Sequence, residues 1–355
     1  MMFDLTQDDR LYEALLARDA AYEGRAYVGV RSTGIYCRLT CPARKPKREN
    51  CAFYGSPSDC ETAGFRACLR CKPKASEAEG DLLVRRVKAL LSGAPDVKWS
   101  EAELTARGLD PSTVRRAFQR HFGVSFLEHV RMLRLKDSAK TLALGGKVIE
   151  AQIDAGFESA SAFRAAFARL MGVAPGELAS NPLLMADWID TDLGPMIAVS
   201  DRQGLHLLEF ADRKALPTEL RKLASRAKGA LGFGRPEATD QMAGELAAFF
   251  GGRSARFETP LVLAGSAFTR SVWAALRQIP PGETVSYGAL ARALGRPEAV
   301  RAVAQANGQN QIALAIPCHR VIGADGALTG YGGGLWRKQR LIALELGYRN
   351  STKAP

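Results

Sequence analysis

Between residues 81 and 180 apolar positions recur at helical spacing. Val114, Ala117, Phe118 and Phe122 fall on one face of a helix, and Arg115, Arg116, Gln119 and Arg120 on the other. Ser100 and Glu103 have capping-box spacing for a preceding helix, Gly108 stops it, and Asp110-Pro111 supply an N-cap and first helical residue for the next. The pattern predicts helix, tight turn, helix. It is used twice: ARGLDPSTVRRAFQRHFGVS at 106–125 recurs, with one added residue, as DAGFESASAFRAAFARLMGVA at 154–174. In the second copy Phe163, Phe167, Leu170 and Met171 keep the core, but Arg164 and Arg169 stand among Ala162, Ala165 and Ala168.

After Asn181-Pro182 the periodicity shortens. Met196-Ile197-Ala198-Val199 and Leu205-His206-Leu207-Leu208-Glu209-Phe210, joined by Asp201-Arg202-Gln203-Gly204, predict a β-hairpin with helices after it. From Phe268 the chain turns helical: one segment runs from Val285 to Leu294, Gly295-Arg296-Pro297 breaks it, and another runs from about Glu298 to Asn307. This last helix carries Ala299, Ala302, Ala306 and Gly308, which let its backbone approach a partner, while Arg301 projects. The fold class expected is multidomain α+β: a small cysteine-rich unit at 1–75, a linker at Ala75–Gly80, an all-α paired helix-turn-helix at 81–180, and an α+β unit at 183–265 and 266–350 whose last part is again helix-turn-helix-like.

A chain of 355 residues with 46% hydrophobic and 24% charged residues excludes disorder, collagen and a continuous coiled coil. No uncharged apolar run approaches bilayer length and the start, MMFDLTQDDR, lacks the basic-then-apolar pattern of a signal peptide, so a cytoplasmic protein with no membrane partner is expected. The formal charge of +12 favours a polyanionic partner, nucleic acid first. Ten Lys/Arg against four Asp/Glu between Ser266 and Arg349 put much of that field at the C-terminal end. In a helix-turn-helix the Arg115, Arg116, Gln119 and Arg120 face is the one that enters the major groove; the alternative is a solvated basic face.

Six of seven cysteines crowd residues 37–71. In a reducing compartment this is a metal site rather than a disulfide framework, and Cys37-x3-Cys41 with Cys68-x2-Cys71 suits tetrahedral zinc. Cys51 and Cys60 are left over as small buried residues. A purely structural zinc site remains the plain alternative. Cys318, beside His319 in Ile316-Pro317-Cys318-His319-Arg320-Val321, is a candidate nucleophile with an imidazole to take its proton; the alternative is a buried structural cysteine beside an unrelated histidine. His121, His129 and His206 have no visible partner.

Three resemblances follow from these residues. Gly156, Phe157, Ser159, Ser161 and Phe163, with Gly172 to Pro175, resemble the paired helix-turn-helix of AraC-type regulators, which implies a transcription-factor module whose alanine-rich second helix reads bases poorly. The stretch from Phe268 to Glu345 resembles the DNA O6-alkylguanine alkyltransferases through PCHRV, TVSYGALA, AVRAVAQANGQN and TGYGGG. With Ser32-Thr33-Gly34-Ile35-Tyr36-Cys37-Arg38 and Phe65-Arg66-Ala67-Cys68-Leu69-Arg70-Cys71 the whole chain is similar to the Ada family of DNA methylation repair proteins and transcriptional activators.

That resemblance implies single-turnover transfer of methyl groups from O6-methylguanine, with O4-methylthymine, in double-stranded DNA to Cys318. His319 would deprotonate the thiol through a water, Glu345 orient the histidine, and Asn310 brace the turn; Tyr287 would donate to the departing guanine, and Lys338 lie near its oxygen. The base must be flipped out of the stack, and Arg301 matches the arginine that fills the gap. Gly332 departs from the pattern: alkyltransferases elsewhere can carry serine there, and that side-chain hydrogen bond to the base is expected to be absent. The resemblance also implies Cys37 as acceptor from methylphosphotriesters, sharing Zn2+ with Cys41, Cys68 and Cys71. Methylation would take a doubly negative centre to singly negative and raise DNA affinity. It further implies promoter contact through Arg115, Arg116 and neighbouring groups, with RNA polymerase as partner of a monomer. A repair protein without regulatory activity, and a zinc-bearing regulator that has lost transfer, are the alternatives.

Overall fold

The computed structural model describes residues 8–19, 22, 26–73, 77–94, 97–228, 230–324 and 326–351. The chain divides into two compact units, Met1–Pro95 and Asp96–Pro355.

In the first unit, α1 (Asp8–Ala17) precedes β1 (Tyr27–Val30) and β2 (Ile35–Arg38), which pair antiparallel, Val28 opposite Cys37, around a turn closed by Gly34 at φ 63°. Strand β3 (Cys51–Tyr54), helix α2 (Pro57–Thr62) and strand β4 (Arg66–Ala67) complete a sheet in the order β3-β1-β2-β4, with β4 parallel to β2. Helix α3 (Glu77–Gly93) begins inside the stretch expected as a linker, and the unit runs past Asp81, where the next domain was expected to start. Glu77, Ala78 and Glu79 are strong helix formers, and here propensity prevails over the polarity that reads as a loop.

The second unit opens with α4 (Glu101–Ala106), α5 (Pro111–Phe122), α6 (Phe126–Ala143), α7 (Val148–Asp154) and α8 (Ala160–Met171). Ser100 caps α4 through the Glu103 amide, Asp110 caps α5 through the Thr113 amide, and Ser159 caps α8. Helices α5 and α8 both end on a left-handed glycine, Gly123 at φ 75° and Gly172 at φ 74°, so the sequence repeat is a repeat of backbone geometry.

A second sheet follows, from β5 (Leu184–Ile189), β6 (Met196–Ser200), β7 (Leu205–Phe210), helix α9 (Leu216–Arg226) and β8 (Leu231–Phe233), in the order β7-β6-β5-β8. The expected hairpin is β6 with β7; strands β5 and β8 were not anticipated. The chain continues through α10 (Glu237–Phe250), α11 (Ala267–Arg277), β9 (Val285–Ser286), α12 (Tyr287–Ala293), α13 (Val300–Gly308), β10 (Val321–Ile322) and α14 (Leu335–Ser351). Val285 and Ser286, expected as helix, pair with Val321 and Ile322 in a two-stranded parallel ribbon, and Pro297–Ala299 form a short 3-10 turn ahead of α13.

Every residue of β6 is buried, which is why it reads as an apolar run rather than an alternation. Met196, Ala198, Leu208 and Phe210 join the core that holds Trp273, Val303, Ile316 and Cys318. Ile197, Val199 and Leu207 face the other way and share a core with Leu135 and Ala139 of α6, Phe163, Phe167, Leu170 and Met171 of α8, and Leu216 and Leu220 of α9. The boundary expected between residues 180 and 183 therefore crosses one continuous core. No helix among the described residues is long and apolar enough to cross a membrane.

Candidate functional site

Strand register builds the first cluster. Tyr36 on β2 lies beside Ala67 on parallel β4, so the residues that follow each, Cys37 still within β2 and Cys68 just past the end of β4, come side by side. Each then enters a tight turn, with the Cys41 amide donating to the Arg38 carbonyl at 3.1 Å and the Lys72 amide to the Cys68 carbonyl at 2.9 Å. The sulfurs of Cys37, Cys41, Cys68 and Cys71 lie within 4.8 Å of one another. Zn–S bonds of ~2.3 Å put tetrahedral ligand sulfurs about 3.8 Å apart, inside that limit. Cys41 is 3% exposed and Cys37 and Cys68 are 9% exposed, while Cys71 is half-buried. Hydrogen bonding among the sulfurs pushes the Cys37 thiol up and the Cys41 thiol down, the conflict of a thiolate set gathered around a cation position. The four residues fit zinc. Lys45 donates to the carbonyls of Leu39 at 3.2 Å and Cys41 at 3.5 Å and so fixes the first turn. Cys51 and Cys60 are buried in packing, 2% and 0% exposed, as expected.

The second centre sits where residues 310–320 fold back under β7. Leu208 exchanges backbone hydrogen bonds with Gln311 and Ala313, both 2.8 Å, which pins the strand to the turn that follows. Leu314, buried and at φ 68°, is held there in a conformation that costs a non-glycine residue energy. Asn310 makes the turn specific: its Nδ2 donates to the Ile316 carbonyl at 2.8 Å and to Cys318 Sγ at 3.1 Å, and its Oδ1 accepts from the Ile312 amide at 3.0 Å. Burial pushes the Cys318 thiol up to about 11. At neutral pH it is therefore protonated and needs a base. His319, fully buried, places Nε2 2.9 Å from Glu345 Oε1; its Nδ1 is buried without a hydrogen-bond partner. Burial alone would raise the Glu345 pKa, but His319 and Arg320 hold it down to about 2. Arg320 reaches both carboxylate oxygens at 2.8 Å, a bidentate contact that the motif contains but the sequence reading did not assign.

Tyr287, at the start of α12, is half-buried, and burial pushes its hydroxyl pKa up. Arg301 is exposed on α13, as expected. Lys338 is fully buried: its Nζ donates to the carbonyls of Val321 at 2.5 Å and Thr329 at 2.6 Å, and burial lowers its pKa to about 8. Its ammonium ties β10 to the loop before Tyr331, because a buried cation needs carbonyl partners in place of water. Tyr331, also unassigned in the sequence reading, turns its ring edge to His319 at 6.5 Å between centroids.

On α5 the residues Arg115, Arg116, Gln119 and Arg120 are all exposed over the buried Val114, Ala117, Phe118 and Phe122. Arg116 donates to Thr113 Oγ1 at 3.2 Å, and Gln119 donates to the Gly123 carbonyl, so its amide serves the helix cap. Of the histidines without an expected partner, His206 lies 2.9 Å from Asp201, His129 stacks on Phe122, and His121 meets the same ring edge-on.

Three family descriptions match in chain order: "Metal binding domain of Ada" over residues 10–74, "Helix-turn-helix domain" over 105–181, and "6-O-methylguanine DNA methyltransferase, DNA binding domain" over 267–347. The chain is 34% identical over 348 residues to the "Bifunctional transcriptional activator/DNA repair enzyme Ada" of Escherichia coli K12, covering 95% of this chain and 96% of that protein. It is 32% identical over 351 residues to the "Regulatory protein ada" of Salmonella typhimurium, with the same coverages. The solved O6-methylguanine methyltransferase of Mycobacterium tuberculosis aligns at a TM-score of 0.41 and 40% identity over 48% of this chain and 95% of that one. Full-length similarity with all three segments in order places the chain in the Ada family of DNA repair methyltransferases and transcriptional activators.

Proposed function

We propose that this protein takes methyl groups from alkylated double-stranded DNA onto two of its own cysteines and, so modified, activates transcription. The observation that carries the reading is the arrangement at Cys318: a protonated, buried thiol held by Asn310 at 3.1 Å, beside a histidine fixed to Glu345 at 2.9 Å.

A flipped O6-methylguanine, or O4-methylthymine, enters beside Sγ. His319 takes the thiol proton through a water at its unpaired Nδ1 while Glu345 holds Nε2, so the imidazolium that forms is stabilised without losing its orientation. Sγ then attacks the methyl carbon, the S–C bond forms as the C–O6 bond breaks, and the base leaves with the proton returned to it. Tyr287 is positioned to donate to the departing base, and Arg301 fills the vacated stack. The thioether has no hydrolytic exit, so each site acts once.

At the other centre Cys37, Cys41, Cys68 and Cys71 hold zinc, which when bound keeps the four sulfurs deprotonated and nucleophilic at neutral pH. Cys37 Sγ accepts the methyl of a methylphosphotriester and leaves an ordinary phosphodiester. One negative charge facing DNA is lost, and affinity rises. Arg115, Arg116, Gln119 and Arg120 then contact promoter DNA, with α8 offering mainly alanines to its groove. The protein works as a cytoplasmic monomer that meets RNA polymerase at the promoter.

Peptide mass spectrometry of the zinc-loaded protein after incubation with DNA carrying both lesions tests this. Stoichiometric S-methylation of Cys318 and Cys37 is expected, each abolished only by its own Cys→Ala variant; methyl on neither removes the repair reading. Equal promoter affinity before and after Cys37 methylation removes the switch and leaves a repair protein without regulation.

A further inference from the structure

Arg213 lies just after β7 and is buried, with four partners at the floor of the Cys318 centre. Its Nη1 donates to Glu209 at 2.6 Å, to Glu219 at 3.0 Å and to the Asn310 carbonyl at 3.4 Å, and its Nη2 to the Gly308 carbonyl at 3.4 Å. It thus joins β7 and α9 to the end of α13 and to the residue that hydrogen-bonds Cys318. It also lies over Gly332: a Cβ placed there would sit 2.6 Å from Arg213 Nε and 3.1 Å from Cζ. Nε is the stem of a fork anchored at four points, so it cannot swing aside as a free side-chain end would.

We propose that Arg213 is a positioning residue of the Cys318 centre, and that position 332 is glycine because the Arg213 guanidinium occupies the volume of a side chain there. The Arg213 guanidinium, from just after β7 and 119 positions upstream, thus stands where a serine side chain at 332 would lie. Glu209 and Glu219 hold the fork in place, and the Asn310 carbonyl transmits its position to Sγ. The proposal rests on the reading of Cys318 as methyl acceptor.

The test is the single-turnover rate constant for methylation of Cys318 in the full-length, zinc-loaded protein with an O6-methylguanine duplex, read beside the dissociation constant for the same DNA and the thermal midpoint. Gly332→Ser and Arg213→Ala are each expected to slow transfer by about 10- to 100-fold with affinity nearly unchanged, the scale of an ångström-level misplacement. In the Arg213→Ala background Gly332→Ser should cost nothing more, because the volume is vacant. Arg213→Lys, which keeps the charge but loses the fork, should be slow as well. Gly332→Ser reacting at the parent rate overturns the proposal, as do single-variant slowdowns that multiply in the double variant. Should Arg213→Ala fail to fold, Gly332→Ser and Arg213→Lys decide alone. No transfer by the parent protein would instead refute the acceptor reading, a distinct result.

Discussion

Arg337 donates to the carbonyl oxygen of Phe122, the last residue of α5, at 3.1 Å. The same guanidinium donates to the carbonyls of Leu193 and Gly333, each at 2.9 Å, pairs with Asp212, and stacks over Phe210 at 4.0 Å and Trp336 at 4.4 Å. One buried cation therefore holds the end of the basic helix, the second sheet and the loop beside Cys318.

Arg337→Ala leaves Asp212 and three carbonyls without their partner, and loss of about 3–5 kcal/mol of unfolding free energy is expected. Denaturant unfolding followed by tryptophan fluorescence reads it. Arg337→Lys should recover only part, since an ammonium cannot serve four directions in one plane. A loss under about 1 kcal/mol for the alanine variant would show that the clamp adds nothing.

Gly123 and Gly172 are equivalent in the repeat, and each abuts the chain beyond residue 183: a Cβ at 123 would lie 2.6 Å from Trp336 Nε1, and one at 172 only 2.0 Å from the Pro217 carbonyl oxygen. Gly108 has nearly the same φ, 70°, with open space around it. Gly108→Ala should cost about 1 kcal/mol of backbone strain, and Gly123→Ala and Gly172→Ala clearly more. Thermal melts of the three variants side by side give the comparison; equal losses would mean the close approach is without weight.

The fold holds Glu345 down to about 2 against an ordinary carboxyl near 4.3, through His319 and Arg320. A depressed carboxyl contributes stability that is complete above its unfolded pKa and lost as pH falls through the folded value. This carboxylate should thus contribute about 3 kcal/mol at neutral pH, lost between about pH 4 and 2. Glu345→Gln should flatten the acid limb in that window and slow methylation of Cys318 as well. An unchanged acid limb would contradict the pairing.

Removing zinc leaves four sulfurs gathered in the first unit with no cation to reconcile them. Chelation should make Cys37, Cys41, Cys68 and Cys71 reactive toward a thiol reagent and reduce the strand signal in circular dichroism, both reversed by added Zn2+. Protection that survives chelation would show that packing alone holds the cluster.

Much of this architecture is legible in the chain because local signals agree with the fold. Ser100, Asp110-Pro111 and the glycines at 108, 123 and 172 mark helix ends by mechanisms that need no tertiary context. The Cys-x3-Cys and Cys-x2-Cys turns likewise carry their geometry in their spacing. Strands β5 and β8 escaped because their neighbours, not their own periodicity, define them. Arg213, Arg320 and Arg337 were beyond reach for another reason: a buried cation and a solvated one have the same letter, and only the carbonyls and carboxylates brought up by distant segments tell them apart. The apolar run at Met196–Val199 did hold information about burial on two sides, and it marked the wall that α8 covers.

That wall has a genetic corollary. Because Phe163, Phe167 and Met171 fill one face of the sheet whose other face carries the Cys318 core, an allele that coarsens the packing of the second helix-turn-helix will be scored as a loss of resistance to alkylating agents. A screen for repair-deficient strains should therefore return lesions in the DNA-reading half of the gene.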